Sequence, residues 1–381
     1  MLTNAGGLPE LVSRKSAFGG AMSHITYVLC HGLNGWGQYN EQYEKKPYWG
    51  GASGDVAARW RAQGVDAFAA SVAPQGSAWD RACELYAQIA GTKTDYGQAH
   101  AAAYGHDRFG RDFTGQPLIP SWDDDTRLAL IGHSFGGATI RLFGELLAHG
   151  SAEEREATAP EDLSPLFAGG LEQRIFAVVT LVAPTNGTTA YDLTRDPNFD
   201  AKSVKVPLKY RLWDRILKSH TKIKADERDP RDWASFDMML DNARALNDRI
   251  ATLPHVYYLS VACDATKPGK GGVRTPDRSL VDPLFVRTST LMGCYEGTSK
   301  GGCVADRGWH ANDGLVNTLS ARAPFGAPQK PLDPFNIERG KWNVMPDMHV
   351  DHGFFQGGFI RKQNPQPFFQ DLLDLLGGLE D

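Results

Sequence analysis

The run Leu128-Ala129-Leu130-Ile131-Gly132-His133-Ser134-Phe135-Gly136-Gly137 restricts this chain to very few folds. Residues 128–131 form a short, continuous apolar stretch, the pattern of a strand covered on both faces. Directly behind the glycines, residues 138–148 repeat apolar side chains at helical spacing. A strand that becomes a helix within Gly-x-Ser-x-Gly must bend so sharply that only small residues fit beside the serine. The bend pushes the Ser134 hydroxyl out above the sheet edge. An ordinary glycine-rich turn would explain Gly136 and Gly137 but gives no reason for His133-Ser134 at the apex. The segment therefore predicts a parallel sheet with Ser134 as a nucleophile.

Comparable β-rich runs occupy residues 25–30, 65–70, 175–182 and 256–262, with helical patterns at 79–90 and 241–251. Strands alternating with helices imply a doubly wound α/β domain, and 381 residues suffice for a single one with insertions. The 41 glycines suit tight turns and close backbone approaches. Two stretches interrupt the alternation. Residues 79–115 are dense in Asp, His, Tyr and Gly and read as an insertion with its own ordering device. Residues 190–235 are charged, with scattered Leu212, Trp213 and Ile216, and read as an amphipathic cover over a site. A net charge of −5 offers no basic footprint for nucleic acid. No window approaches the ~20 apolar residues of a membrane span. Residues 1–23 carry Arg14 and Lys15 without an apolar stretch behind them, unlike a secretory leader. The five cysteines cannot all pair; Cys294 and Cys303 flank a Gly/Ser-rich loop and would bridge in an oxidising compartment, whereas Cys30 reads as a buried thiol.

A serine hydroxyl needs a base, and the base needs an orienting carboxylate. On a sheet of this kind the chain order is serine, acid, histidine. The later histidines are His220, His255, His310, His349 and His352. His352 lies near the C-terminus, where the base is expected, and Asp313 lies in the turn Asn312-Asp313-Gly314. On spacing alone His349 competes with His352, and Asp347 with Asp313. The oxyanion of an acyl-transfer intermediate needs two amide N–H donors. Phe135 follows the nucleophile, and Leu33, in His31-Gly32-Leu33-Asn34-Gly35 behind the first apolar run, is the other candidate. His100 and His106, with Asp80 upstream, point to a metal, and two imidazoles favour Zn²⁺ over Ca²⁺ or Mg²⁺. Their spacing by itself fits equally two surface histidines in a glycine-rich loop.

Taken in order, several segments resemble one group of enzymes. They are His31-Gly32 with Gly35-Trp36-Gly37, Tyr48-Trp49-Gly50-Gly51, Trp79-Asp80-Arg81-Ala82-Cys83-Glu84, Asp95-Tyr96-Gly97, His100, Gly105-His106, and Arg108-Phe109-Gly110. The elbow, Asn312-Asp313-Gly314 and Val350-Asp351-His352 complete the set. The chain is similar to the thermoalkalophilic, zinc-containing bacterial lipases of Geobacillus and staphylococci, which are α/β-hydrolases. The resemblance implies a triad of Ser134, Asp313 and His352, oxyanion donors at Leu33 and Phe135, and a zinc held by Asp80, His100, His106 and Asp237. Four protein ligands close a tetrahedral zinc, so its role would be structural. The resemblance further implies an ester or lipid substrate and secretion, with the cytoplasm as the alternative. A phospholipase or amidase on the same scaffold would share the elbow. A non-enzymatic binding protein would usually have lost a triad member, and all three candidates are present.

The sequence departs from that group in two places. The family's calcium uses a carboxylate two residues beyond the catalytic histidine; here that position is Phe354, so calcium is not expected. The stretch between Thr189 and Asp237 is shorter and more charged than the family's lid, and the long apolar helix has no evident counterpart. A smaller, more polar cover predicts a more open pocket, a preference for short or medium acyl chains, and room for bulky or polymeric esters.

Overall fold

The computed structural model describes residues 25–220 and 229–380. The reading of residues 1–23, and the 221–228 part of the expected cover, lie outside the described residues. Seven strands build the central sheet: Ile25–Cys30 (β1), Ala67–Ala70 (β2), Arg127–His133 (β3), Ile175–Leu181 (β4), Tyr257–Val261 (β5), Gln329–Pro331 (β6) and Trp342–Val344 (β7). Their order is β6-β7-β5-β4-β3-β1-β2, and every pair is parallel. Together with helices on both faces this is the expected α/β-hydrolase architecture.

Side chains of a strand alternate between the two faces of its sheet, and both faces are apolar here. Val28, Cys30, Leu128 and Leu130 pack under helices Ala78–Ala90 (α1) and Gly136–His149 (α3). Tyr27, Leu29, Ala129 and Ile131 face Trp60 and the C-terminal helix Gln366–Gly377 (α5). The sequence reading did not include α5, β6 or β7. Both strands are three residues long, and β6, which carries Pro331, lies at the sheet edge, where proline is tolerated. α5 is held by an aromatic cluster in which Phe369 meets Trp49, Trp60, Phe355 and Phe368 at centroid distances of 5.5–6.2 Å.

Register aligns the strand ends: Cys30 pairs with Gly132, Gly132 with Thr180 and Thr180 with Ser260. The chain leaves β1 toward β2 on one side and returns as β3 on the other. This makes the C-terminal end of β1 and β3 the topological switch point, where ligands bind in open α/β sheets. Backbone strain collects at the same edge. Asn34 and Ser134 (both φ 55°) and Val182 (φ 47°) are the positive-φ non-glycine residues among those described, and they follow β1, β3 and β4.

The insertion at 79–115 holds most of α1 and an antiparallel hairpin of Lys93–Asp95 with Phe109–Asp112. A short helix, Gln98–Tyr104 (α2), lies between the hairpin strands. Within the expected cover the structure has a helix at Leu208–His220 (α4). It lies in the stretch that reads as an amphipathic cover, where Lys209, Arg211 and Arg215 interrupt the apolar residues. Tyr210 is buried with Val281 and Phe285, Trp213 packs against them, and Leu208 and Leu212 face outward. Cys294 and Cys303 are free thiols, as are the other cysteines. No helix among the described residues is long and apolar enough to cross a membrane.

Phe369 is fully buried. Phe369→Ala is therefore expected to cost about 3–5 kcal/mol in urea unfolding; a loss below about 1 kcal/mol would show that α5 does not close this face.

Candidate active site and metal centre

Ser134 sits where β3 ends and α3 begins, held at φ 55° with its N–H donated to the Leu181 carbonyl at 2.9 Å. Space around the bend admits only small residues. A Cβ on Gly136 would overlap the Cys30 carbonyl oxygen, and one on Gly32 would lie 2.7 Å from the Ser134 Cβ. The serine Oγ lies 2.9 Å from His352 Nε2, and His352 Nδ1 lies 2.8 Å from Asp313 Oδ2. A carboxylate accepts, so Nδ1 carries the proton and Nε2 is left to accept from the serine hydroxyl. The other Asp313 oxygen accepts the N–H groups of Leu315 and Val316 at 2.9 and 2.8 Å. Asp313 (1% exposed) is thus fixed by its own turn, and the His352 N–H donates to the Asp313 carbonyl at 3.0 Å. The competing candidates lie elsewhere: His349 is exposed, and Asp347 pairs with Arg322 at 2.6 Å. Ser134 retains 8% exposure.

Phe135 follows the serine directly, and Leu33 follows Gly32, the glycine packed against the Ser134 Cβ. Among the described residues neither backbone N–H donates to a protein acceptor. A buried arginine binds the two segments together. Arg81 donates to Thr139 Oγ1 at 2.8 Å, to the Ala73 carbonyl at 3.0 Å and to the His31 carbonyl, and its guanidinium lies 5.2 Å from the Phe135 ring centroid.

The metal-ligating candidates converge with one correction. Asp80, His100 and His106 meet Asp232, not Asp237, with one donor atom from each lying within 4.8 Å of the others. His100 Nε2 is 3.2 Å from Asp80 Oδ1 and 3.3 Å from Asp232 Oδ1; His106 Nε2 is 3.4 Å from Asp232 Oδ2. Asp237 instead accepts the Ala78 N–H at 2.7 Å, in the first turn of α1, where orphan N–H groups need a carboxylate. The physical reason lies in the backbone. The Ala234 N–H bonds the Gln75 carbonyl at 3.0 Å and Trp233 bridges Gly76, which fixes Asp232 beside α1 and carries Asp237 past it. Spacing held no signal to separate the two aspartates.

The donors suit a cation. His106 Nε2 and both Asp232 oxygens are buried without a hydrogen-bond partner of sound geometry. His106 Nδ1 lies 2.8 Å from the Asp107 carbonyl, which accepts its proton and leaves Nε2 bare toward the cluster. Burial opposes protonation of His100, but the adjacent Asp232 and Asp80 carboxylates outweigh it and push its pKa up to about 9. Two buried carboxylates thus demand positive charge, which a divalent ion would supply. Trp79 stacks on His100 at 5.1 Å and steadies the ring.

Beside His352, Asp351 is fully buried and accepts from the N–H groups of Asp282 (2.6 Å) and Gly353 (3.1 Å) and from Gln363 Nε2 (2.8 Å). Burial pushes its pKa up to about 6, partly offset by those bonds. A carboxyl raised in the folded state is protonated there at a pH where the unfolded chain has released its proton. The Asp351 contribution to stability is then fully present below about pH 4 and is lost as pH rises through about 6. Asp351→Asn is expected to remove a decline on the order of 2 kcal/mol between about pH 4 and pH 7. Parallel melting curves of the two proteins across that range would contradict it.

The family described as lipase-like, C-terminal domain matches residues 24–205. A lipase of Staphylococcus epidermidis is 32% identical over 353 residues, 87% of this chain and 49% of the relative. The chain spans about half the length of the curated relatives it matches. EstA from Clostridium botulinum superposes with a TM-score of 0.81 at 30% identity, covering 98% of this chain and 91% of that one. Lipase 1 from Pelosinus fermentans gives 0.75 at 30% identity, covering 94% of this chain and 100% of that one. With a serine, imidazole and carboxylate in line at the switch point of such a sheet, the chain belongs to this family of bacterial lipases.

Proposed function

We propose that this chain hydrolyses carboxylic esters through an acyl-enzyme on Ser134, as a lipase or esterase. The observation that carries the reading is the line from Ser134 Oγ to His352 Nε2 to Asp313, each link below 3 Å. His352 Nε2 takes the hydroxyl proton as Oγ bonds the ester carbonyl carbon, and the carbonyl electron pair moves onto oxygen. The N–H groups of Leu33 and Phe135 hold that oxyanion. Asp313 stabilises the imidazolium and keeps its tautomer. As the carbonyl re-forms, the bond to the alcohol oxygen breaks and His352 returns the proton to the leaving group. Water then repeats the sequence with His352 as base, releasing the acid and restoring Ser134. Ser134→Ala is expected to lower kcat more than about a thousandfold with the melting temperature unchanged; residual turnover near wild type would remove the nucleophile.

The cluster of Asp80, His100, His106 and Asp232 is assigned to Zn²⁺, whose preference for imidazole with carboxylate matches the donors. A zinc ion bound there supplies a structural cross-link between the insertion and the segment carrying Asp232. With four protein ligands it leaves no open position, and none of the steps above involves it. Elemental analysis is expected to find stoichiometric zinc in wild type and in Asp237→Asn, and its loss in Asp232→Asn together with a lower melting temperature. Retention of zinc by Asp232→Asn would reject this ligand set.

The outward face of α4 carries Lys209, Arg211 and Arg215 among Leu208 and Leu212. Such a cationic cover inserts poorly into an apolar lipid phase, which supports a preference for short or medium acyl chains over long ones. Rates on p-nitrophenyl esters from acetyl to palmitoyl should peak in the short to medium range. A steady rise to palmitoyl, with a jump above the solubility limit, would reverse this reading. Acid release from a polyester film tests whether polymeric esters also enter.

A further inference from the structure

Behind the serine runs a buried chain of hydrogen bonds that the steps above do not use. Tyr48 and His133 are 3% and 0% exposed. The Tyr48 hydroxyl oxygen lies 2.9 Å from the Gly32 nitrogen and 2.7 Å from His133 Nδ1. His133 Nε2 lies 3.1 Å from the backbone carbonyl of His352. The roles in this chain are forced. A backbone N–H only donates, so the Tyr48 oxygen accepts from Gly32. A carbonyl only accepts, so His133 Nε2 carries the proton and Nδ1 is bare. The Tyr48 O–H therefore donates to Nδ1. The Gln356 side-chain nitrogen, 3.4 Å from the same Nδ1, is likewise a donor and agrees with this tautomer. Burial holds the His133 imidazole well below its ordinary pKa, which keeps it neutral.

The three ends of the chain are the three parts that must stay in register. Gly32 precedes Leu33 and presses against the serine; His133 precedes Ser134; the His352 carbonyl belongs to the residue that moves the proton. Tyr48 is itself locked, edge-on to Trp36 at 5.5 Å and Trp49 at 5.4 Å. We propose that Tyr48 and His133 are positioning residues, aligning the oxyanion loop and the His352 imidazole across the nucleophile through one directional hydrogen-bond relay. The proposal rests on the reading of Ser134 as nucleophile and adds to it the means by which a loop after β1 and a loop near the C-terminus are set against each other.

Tyr48→Phe keeps the ring and deletes both bonds. Its kcat is expected to fall about tenfold to a hundredfold, the scale of sub-ångström to 1 Å misplacement, with KM within about twofold. A trifluoromethyl ketone, whose adduct with Ser134 places an oxyanion between Leu33 and Phe135, should lose affinity by the same factor as kcat/KM. His133→Gln can still accept from Tyr48 and donate to the His352 carbonyl, so it should keep most activity, whereas His133→Leu should match Tyr48→Phe. The double variant Tyr48→Phe/His133→Leu should be no slower than the slower single one, because both break one relay. Wild-type kcat and inhibitor affinity in folded Tyr48→Phe would overturn the proposal, as would losses that multiply in the double variant. If Tyr48→Phe is recovered unfolded, the Gln and Leu variants at His133 decide: equal activity rejects the relay. Turnover by Ser134→Ala would instead sink the nucleophile itself, while an inert Ser134→Ala beside a fully active Tyr48→Phe sinks the positioning role alone.

Discussion

The layout of this molecule depends on a few backbone bonds that hold strained residues at the C-terminal edge of the sheet. Left-handed backbone costs a non-glycine residue on the order of 1–3 kcal/mol and persists only where its surroundings enforce it. Each such residue here is tied to a neighbouring segment through its own N–H: Asn34 to the Pro74 carbonyl, Ser134 to Leu181 and Val182 to Val261, at 2.8–2.9 Å. The parallel register that brings Cys30, Gly132 and Thr180 level is what puts those acceptors within reach. Strain at Ser134 is thus held by the sheet as a whole, and the hydroxyl points where it does because the strands on either side keep it there.

Much of this was legible in the chain. β1 to β5 announce themselves as apolar runs because both their faces are buried, and the elbow announces itself because close packing against Cys30 leaves room only for glycine at Gly136. Order alone left Asp313 and His352 in competition with Asp347 and His349, and the family resemblance chose between them; in the structure His349 is exposed and Asp347 pairs with Arg322. What stayed hidden depends on long-range contacts. β7 is a strand because β5 offers it an edge, and β6 because β7 then does the same, not because Gln329-Lys330-Pro331 prefers to be extended. α4 is hidden by cations that lie on its outer face. Asp232 and Asp237 share one short segment, and only the backbone bridge from Trp233 to Gly76 decides which of them meets the histidines.

The two polar centres solve the problem of buried charge differently. Around Ser134 the groups are largely neutral or satisfied in pairs: Asp313 accepts from its own turn and from His352, and His133 is kept neutral with both ring nitrogens occupied. In the other cluster His106 Nε2 and both Asp232 oxygens are buried without partners, an arrangement that is costly and that a cation would relieve. One centre is therefore complete from protein groups alone, and the other calls for an ion.

The two centres also share a helix. Asp80 and Arg81 are consecutive on α1, and consecutive helical residues point about 100° apart. One carboxylate reaches outward to the histidines while the neighbouring guanidinium reaches inward to the His31 carbonyl, Thr139 and the Phe135 ring. α1 therefore works as an axle: any roll of the helix that loosens one grip must turn the other through the same angle. The rotational setting of α1 is common property of both centres, and neither can be retuned alone by turning it.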